Sequence, residues 1–217
     1  MKLSKKTLAV LKNFAGINQS IVIKPGNVIQ TISNVKDVFA KCEIEETFEQ
    51  QVAIYDLNEF LGVLSLFEEP DLTFTDNAVQ IQQGKMSQTY YYADASIITT
   101  PPEKGVTLPS VEVTGKLQRE QIQSLIKAAS LNDATSLTFT NGNVKVHNAE
   151  VRNSNTFEID GVMSNDANYS LSIAVEKLKM IADDYDVEIC SKGLSHFTGA
   201  QGVEYFIALQ TNGSYGG

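Results

Sequence analysis

The chain has 217 residues, 42% of them hydrophobic and 20% charged, a globular composition with room for one large domain or two ordinary ones. No apolar run approaches the ~18 residues of a membrane span, and no apolar core or cleavage site follows the basic start, so neither a span nor a signal peptide is expected. With 17 basic against 26 acidic residues the net charge is −9. Taken alone, that balance argues against a nucleic-acid binder, which usually carries a basic domain.

In chain order, Ser4 is an N-cap candidate, and Lys5 to Ala15 reads as a helix with Leu8, Leu11 and Phe14 on its apolar side. Ile21 to Ile23, a turn at Pro25-Gly26, and Val28 to Ile32 read as a hairpin. Val38 to Ile44 alternates like a half-buried strand, Phe48 to Ile54 is another strand, and Tyr55 to Phe67 is an apolar helix ended by Pro70. Strands at Leu72, Val79 and Tyr90 follow. The segment Thr99 to Pro109 holds three of the five prolines and cannot be helix or central strand, so it is the expected linker. After it come a helix over Gln118 to Ser130, a hairpin turning at Asn141-Gly142, and strands through Phe157 and Tyr169. A second helix is expected over Ile173 to Ala182, then strands through Val187 and over Val203 to Leu209, and a disordered tail from Gly213. Each half thus runs helix, strands, helix, strands, an α+β arrangement with helices on one face of antiparallel sheet.

The halves also share residues. A shift of 114 places Lys2 on Lys116, Leu3 on Leu117, Lys5 on Arg119, Leu8 on Ile122 and Leu11 on Leu125. The stretches 2–13, 55–67, 116–130 and 172–182 carry 4, 0, 3 and 2 basic residues, with acids only at Asp56, Glu59, Glu120 and Glu176. These stretches therefore sum to +5 and the remaining chain to −14. Surface helices commonly carry lysines for solubility, but repetition at equivalent positions with acids nearly excluded points to an anionic partner. No aromatics interleave the cations, so the contact expected is with backbone phosphates rather than bases.

Catalytic chemistry is missing from the pattern. There is no Gly-rich phosphate loop, and neither His147 nor His196 has Cys, Asp or Glu at metal-ligand spacing, so no enzyme activity, metal or cofactor is expected. The acidic clusters at Glu45, Glu68 and Asp183 read as solvated turn charges. Cys42 and Cys190 read as buried free thiols.

Three blocks resemble the DNA sliding clamps, most closely the processivity clamp of T4-like bacteriophages: MKLSK from Met1, LKNFA from Leu11 with Ile17-Asn18, and VAIYDLN from Val52 to Asn58 continuing through Leu66. The resemblance implies a DNA-clamp fold with an N-terminal domain over 1–98, a linker over 99–110 and a C-terminal domain over 111–217, each domain with two helices on antiparallel sheets. It implies a ring of three head-to-tail copies that encircles duplex DNA regardless of sequence, tethers a DNA polymerase, and is opened by a separate ATP-dependent clamp loader in the cytoplasm, that of the host if a phage encodes it. By position, Lys5, Lys6, Lys12, Lys116, Arg119, Lys127, Lys177 and Lys179 would face the DNA, while the Tyr55–Phe67 helix departs from a basic lining. Val106, Leu108, Tyr205 and Phe206 are the candidates for a partner-peptide pocket, with core and linker anchoring as an equal alternative. The rival class is a phage structural or β-rich interaction module with no DNA role.

Overall fold

The computed structural model describes residues 1–164 and 166–216, in two compact units, Met1–Gly105 and Val106–Gly217. The division falls inside the proline-rich segment.

The first unit opens with α1 (Lys5–Ile17). The Ser4 hydroxyl accepts the Thr7 N–H at 3.1 Å, and Asn18, in extended conformation, ends the helix by donating to the Phe14 carbonyl at 2.9 Å. Val10, Leu11 and Phe14 are buried against β2 (Gly26–Ile32), β3 (Val38–Phe48) and a second helix, α2 (Leu57–Leu64). The expected hairpin over 21–32 does not form. β1 (Ile21–Ile23) pairs instead with β4 (Val52–Ile54), and β2 pairs with β3. All six residues of the β1–β4 ladder are buried, and Gly26 sits at φ +121, so the Pro25-Gly26 turn redirects the chain rather than reversing it. The strand expected over 48–54 is likewise two: β3 ends at Phe48 and β4 begins at Val52. β5 (Asp71–Phe74), β6 (Ala78–Gln83) and β7 (Met86–Tyr91) complete the unit as an antiparallel sheet.

The second unit repeats the opening. β8 (Val113–Leu117) leads into α3 (Arg119–Leu131), which starts and stops 114 residues after α1 and has the same 13-residue length. Leu125 and Ala129 are buried at the places of Leu11 and Ala15. α3 packs on β10 (Asn143–His147) and β11 (Thr156–Ile159), which join β9 (Ser136–Thr140) and β12 (Tyr169–Ala174) in one sheet. β13 (Tyr185–Cys190) pairs with β8 and with β14 (Leu194–Gly199), and β14 pairs with β15 (Val203–Ala208). The tail expected to be disordered forms β16 (Ser214–Tyr215) against β12, with Tyr215 stacked on Tyr169; Gly217 lies outside the described residues.

The fourth helix, expected over 173–182, is absent. Ile173 and Ala174 are drawn into the β12–β9 ladder, and only a 3-10 turn, Val175–Lys177, follows. The Ile181 backbone is held by two tyrosines, its N–H donating to the Tyr205 hydroxyl at 3.1 Å and its carbonyl accepting from Tyr185 at 2.5 Å. Long-range bonds have replaced the intrahelical ones, and tertiary context overrides propensity.

Two sheet edges are closed from within the chain. Met1 and Leu72 exchange backbone hydrogen bonds on the outside of β5. The Val162–Ser164 segment lies along β8, with Lys116 N–H donating to the Val162 carbonyl at 2.9 Å and Ser164 N–H to the Thr114 carbonyl at 2.7 Å. Among the described residues of each unit, β7 bonds only to β6 and β11 only to β10, so each presents an open edge.

Candidate nucleic-acid interface

Lys5 and Lys12 are exposed on α1, seven residues apart and so nearly in line on one side of the helix. Lys6 turns away, its Nζ 3.3 Å from the Glu43 carbonyl on β3. Cations at a helix N-terminus oppose the macrodipole, typically by 0.3–1 kcal/mol. No acid stands in the first turn of α1 to offset this. The offset comes from β3, where the Glu46 carboxylate accepts the Ser4 N–H and, at 2.5 Å, the Thr7 hydroxyl. Partial burial would raise the Glu46 carboxyl, but these hydrogen bonds outweigh it and hold it below its usual range.

α3 has an acid of its own in the first turn, Glu120, and its start is also held from outside the helix. Arg119 is its first residue, and the Arg119 N–H donates at 2.8 Å to the carboxylate of Asp184, which lies just before β13. The Gln118 N–H adds a bond to the Gln121 side-chain oxygen at 2.8 Å, the backward arm of a capping box. Both imported carboxylates escaped the sequence reading, which took Glu45-Glu46 and Asp183-Asp184 as solvated turn charges. Nothing local marks them, because their partners are 39 and 65 residues away.

The remaining expected cations are placed differently. Lys116 is on β8, not on a helix, and pairs across the ladder with Asp186 at 2.6 Å. Lys177 ends the 3-10 turn, with Lys179 just beyond it. Counting true helices only, α1, α2 and α3 carry three, no and two basic residues against none, one and one acidic, which leaves the helices at +3 rather than +5. Lys127 is exposed on α3.

α2 has the opposite character. Asp56 caps it, accepting the Glu59 N–H at 2.9 Å and the Gln19 side-chain amide at 2.9 Å, and these bonds hold its carboxyl below the usual range. Tyr90 packs edge-on against Phe60 and donates toward the Asp56 carbonyl at 3.2 Å and Glu59 at 3.4 Å. Burial first, then the charges of Glu59 and Asp56, push the Tyr90 phenol up to about 12. A groove of about 890 Å³ runs between α1 and α2, with Lys5 and Lys12 on one wall and Asn58 and Gly62 on the other.

Val106 and Leu108 are half-buried. Tyr205 is fully buried and engaged with Ile181, and Phe206 is buried with its ring stacked 4.0 Å from His196. Both aromatic side chains are therefore packed inside the protein, as in the core alternative. His196 lies between Glu188 at 3.3 Å and Glu204 at 2.9 Å, and His147 contacts Thr138 at 3.0 Å. Among the described residues no group of three His, Cys, Asp or Glu is arranged to hold a metal, and no helix is long and apolar enough to cross a membrane. Cys42 and Cys190 are buried and not bonded to each other.

Two units, each opening with a capped basic helix on antiparallel sheet, make up the architecture of the clamp fold. The PCNA of A. fulgidus, solved with the C-terminal region of FEN-1, superimposes with a TM-score of 0.72 at 12% identity, covering 98% of this chain and 99% of that one. The PCNA2–PCNA3 complex of Sulfolobus tokodaii gives 0.70 at 18% identity, over 97% and 99%. In sequence, the family model for the DNA polymerase processivity factor matches residues 2–100, and that for the gp45 sliding clamp, C terminal, matches 104–211. The sliding clamp of Vibrio phage KVP40 is 36% identical over 97% of this chain and 99% of its own length, and that of Enterobacteria phage T4 is 27% identical over 99% of each. The chain belongs to the sliding-clamp family of DNA polymerase processivity factors.

Proposed function

We propose that three copies of this chain close head-to-tail into a ring around duplex DNA and hold a DNA polymerase on it, a separate ATP-dependent loader opening the ring in the host cytoplasm. The observation that carries the reading is the pair of 13-residue helices 114 residues apart, each bearing cations at an N-terminus that the fold stabilises with a carboxylate imported from elsewhere. Cations that cost helix stability, and are compensated twice by unrelated acids, are explained by a ligand better than by solubility. The duplex would meet Lys5, Lys12, Arg119 and Lys127. Lys6 and Lys116, occupied within the chain, and Lys177 and Lys179, off any helix, are secondary.

A closed ring need not bind tightly, because leaving requires an interface to open, and weak phosphate contacts without sequence preference permit sliding. The acidic remainder of the chain keeps DNA from other surfaces. Head-to-tail closure needs two different surfaces on each copy, and the open edges of β7 and β11, one in each unit, are the strands we assign to it. The protein works as a tether and scaffold without catalysing a reaction itself. Partner peptides would dock near the linker, at Val106 and Leu108, since Tyr205 and Phe206 are buried.

The test is primed-template synthesis with polymerase, loader and ATP, together with light scattering. We expect a three-copy mass and long products, with K5E/K12E/R119E/K127E keeping the mass and losing the long products. A monomer at high concentration, or unchanged processivity in the charge-reversed protein, refutes the reading.

A further inference from the structure

We infer that a single helix in each unit touches the duplex, α1 in the first and α3 in the second, while α2 stands off it. This rests on the ring reading above and narrows it. The resemblance implies two helices in each domain, with the Tyr55–Phe67 helix already departing from a basic lining. The described residues form three, and the two with solvent-facing cations are the two related by the 114-residue shift.

The groove between α1 and α2 takes Lys5 and Lys12 from α1 and no cation from α2; Lys2 also lines it and pairs with Glu69 at 3.8 Å. Across it from Lys5 and Lys12 stand Asn58 and Gly62, both exposed and uncharged. A Cβ built on Gly62 meets nothing within 4 Å, so no neighbour within the chain requires glycine there. Lysine at 62 would be sterically free and would favour the helix, since interior glycine is the weaker helix former. The positions that could extend the cationic track at no structural cost are neutral. On the flank toward β7, α2 carries Glu59 and Asp56, which repel phosphate.

In the second unit the segment corresponding to α2 is strand and turn. Ile173 and Ala174 belong to the β12–β9 ladder and Ile181 is held by Tyr185 and Tyr205, so no row of side chains repeats along a helical face there. α1 and α3 are long enough to do what α2 does not. Lys5 and Lys12 are separated by ~10.5 Å along the axis at 1.5 Å per residue.

The test is photo-crosslinking from p-benzoyl-phenylalanine placed singly at positions 5, 12, 119, 127, 58 and 62 of the full chain, each loaded on primed circular DNA. Processive synthesis by the unsubstituted chain is the loading control. We expect crosslinks to DNA from 5, 12, 119 and 127, and their loss at 58 and 62. Equal yield from 58 or 62, or none from any position while the control is processive, overturns the single-helix assignment and leaves the ring standing. A control without processive synthesis overturns the ring reading itself.

Discussion

Removing the Glu46 carboxylate should loosen the helix that presents Lys5 and Lys12, and the size of the effect follows from its contacts. Glu46 accepts the Ser4 N–H and the hydroxyl of Thr7, a residue with no exposed surface. Hydrogen bonds to a charged acceptor contribute about 1.5–3 kcal/mol net, since the Ser4 N–H would otherwise lose its partner. A carboxylate near a helix N-terminus adds about 0.3–1 kcal/mol through the dipole, more here because Lys5 and Lys6 press the other way. Glu46→Ala should therefore destabilise the protein by about 2–4 kcal/mol at pH 7. Urea denaturation at pH 7 should show a lower midpoint with an unchanged slope, and hydrogen exchange should place the loss in α1. The pH dependence supplies a second check. The Glu46 carboxyl is held below its usual 4.5 in the folded protein. Its contribution is therefore complete above that value and is lost as pH falls through the folded pKa, and the gap between wild type and Glu46→Ala should narrow below pH 4.5. A Glu46→Ala protein within about 0.5 kcal/mol of wild type at pH 7, the range of ordinary surface substitutions, would show that the carboxylate does not cap the helix.

Two further outcomes are expected. Gly115→Ala should cost about 1–3 kcal/mol from overpacking alone, because the added Cβ would lie 2.6 Å from the Val162 carbonyl and 2.4 Å from the Met163 sulfur where that segment seals the β8 edge; thermal melting should show it, and a neutral result would mean the 162–164 segment is not fixed against β8. Burial first, then the charge of Lys145, hold the His147 imidazole below its usual 6.5. The neutral ring is thus favoured by folding, and its stabilising contribution is complete above pH 6.5 and lost as pH falls below it, a loss that His147→Gln should abolish in denaturation curves at pH 7.5 and 5.5.

The elements that the sequence announced are those whose signals are local. Ser4 with Leu11 and Phe14 marks α1, and the apolar and basic residues repeated 114 positions on mark α3, expected over Gln118 to Ser130 and found over Arg119–Leu131. Asp56 and the apolar run after it mark α2, although only Leu57–Leu64 is helical, because Ser65 closes it with N–H bonds to Leu61 and Val63. What could not be read depends on partners far along the chain. Val22 and Ala53 pair across 31 residues to separate two strands that Pro25-Gly26 makes look like a hairpin. The run from Ile173 to Ala182 has helical composition, yet Leu137, Tyr185 and Tyr205 each claim part of its backbone. The face proposed to meet DNA was legible in outline as repeated cations in an acidic chain. Its trimming to Lys5, Lys12, Arg119 and Lys127 needed the strand that carries Lys116 and the carbonyl that occupies Lys6.

That trimming bears on how such a surface can hold DNA without gripping it. Helices at +3 within a chain of −9 leave −12 on everything else, a weaker contrast than the sequence count implies. Screening limits exposed charges to about 8 Å at physiological ionic strength. Only cations that approach a phosphate directly therefore contribute, and acids elsewhere on the subunit neither cancel them nor help. Each contact formed steepens the salt dependence of binding by ~0.9 in the log–log slope. The imported carboxylates fit the same economy of contact. Glu46 and Asp184 bond backbone N–H groups at the helix starts rather than the Lys5 and Arg119 side chains, so they stabilise the helices while leaving those cations available for the proposed contact with the duplex.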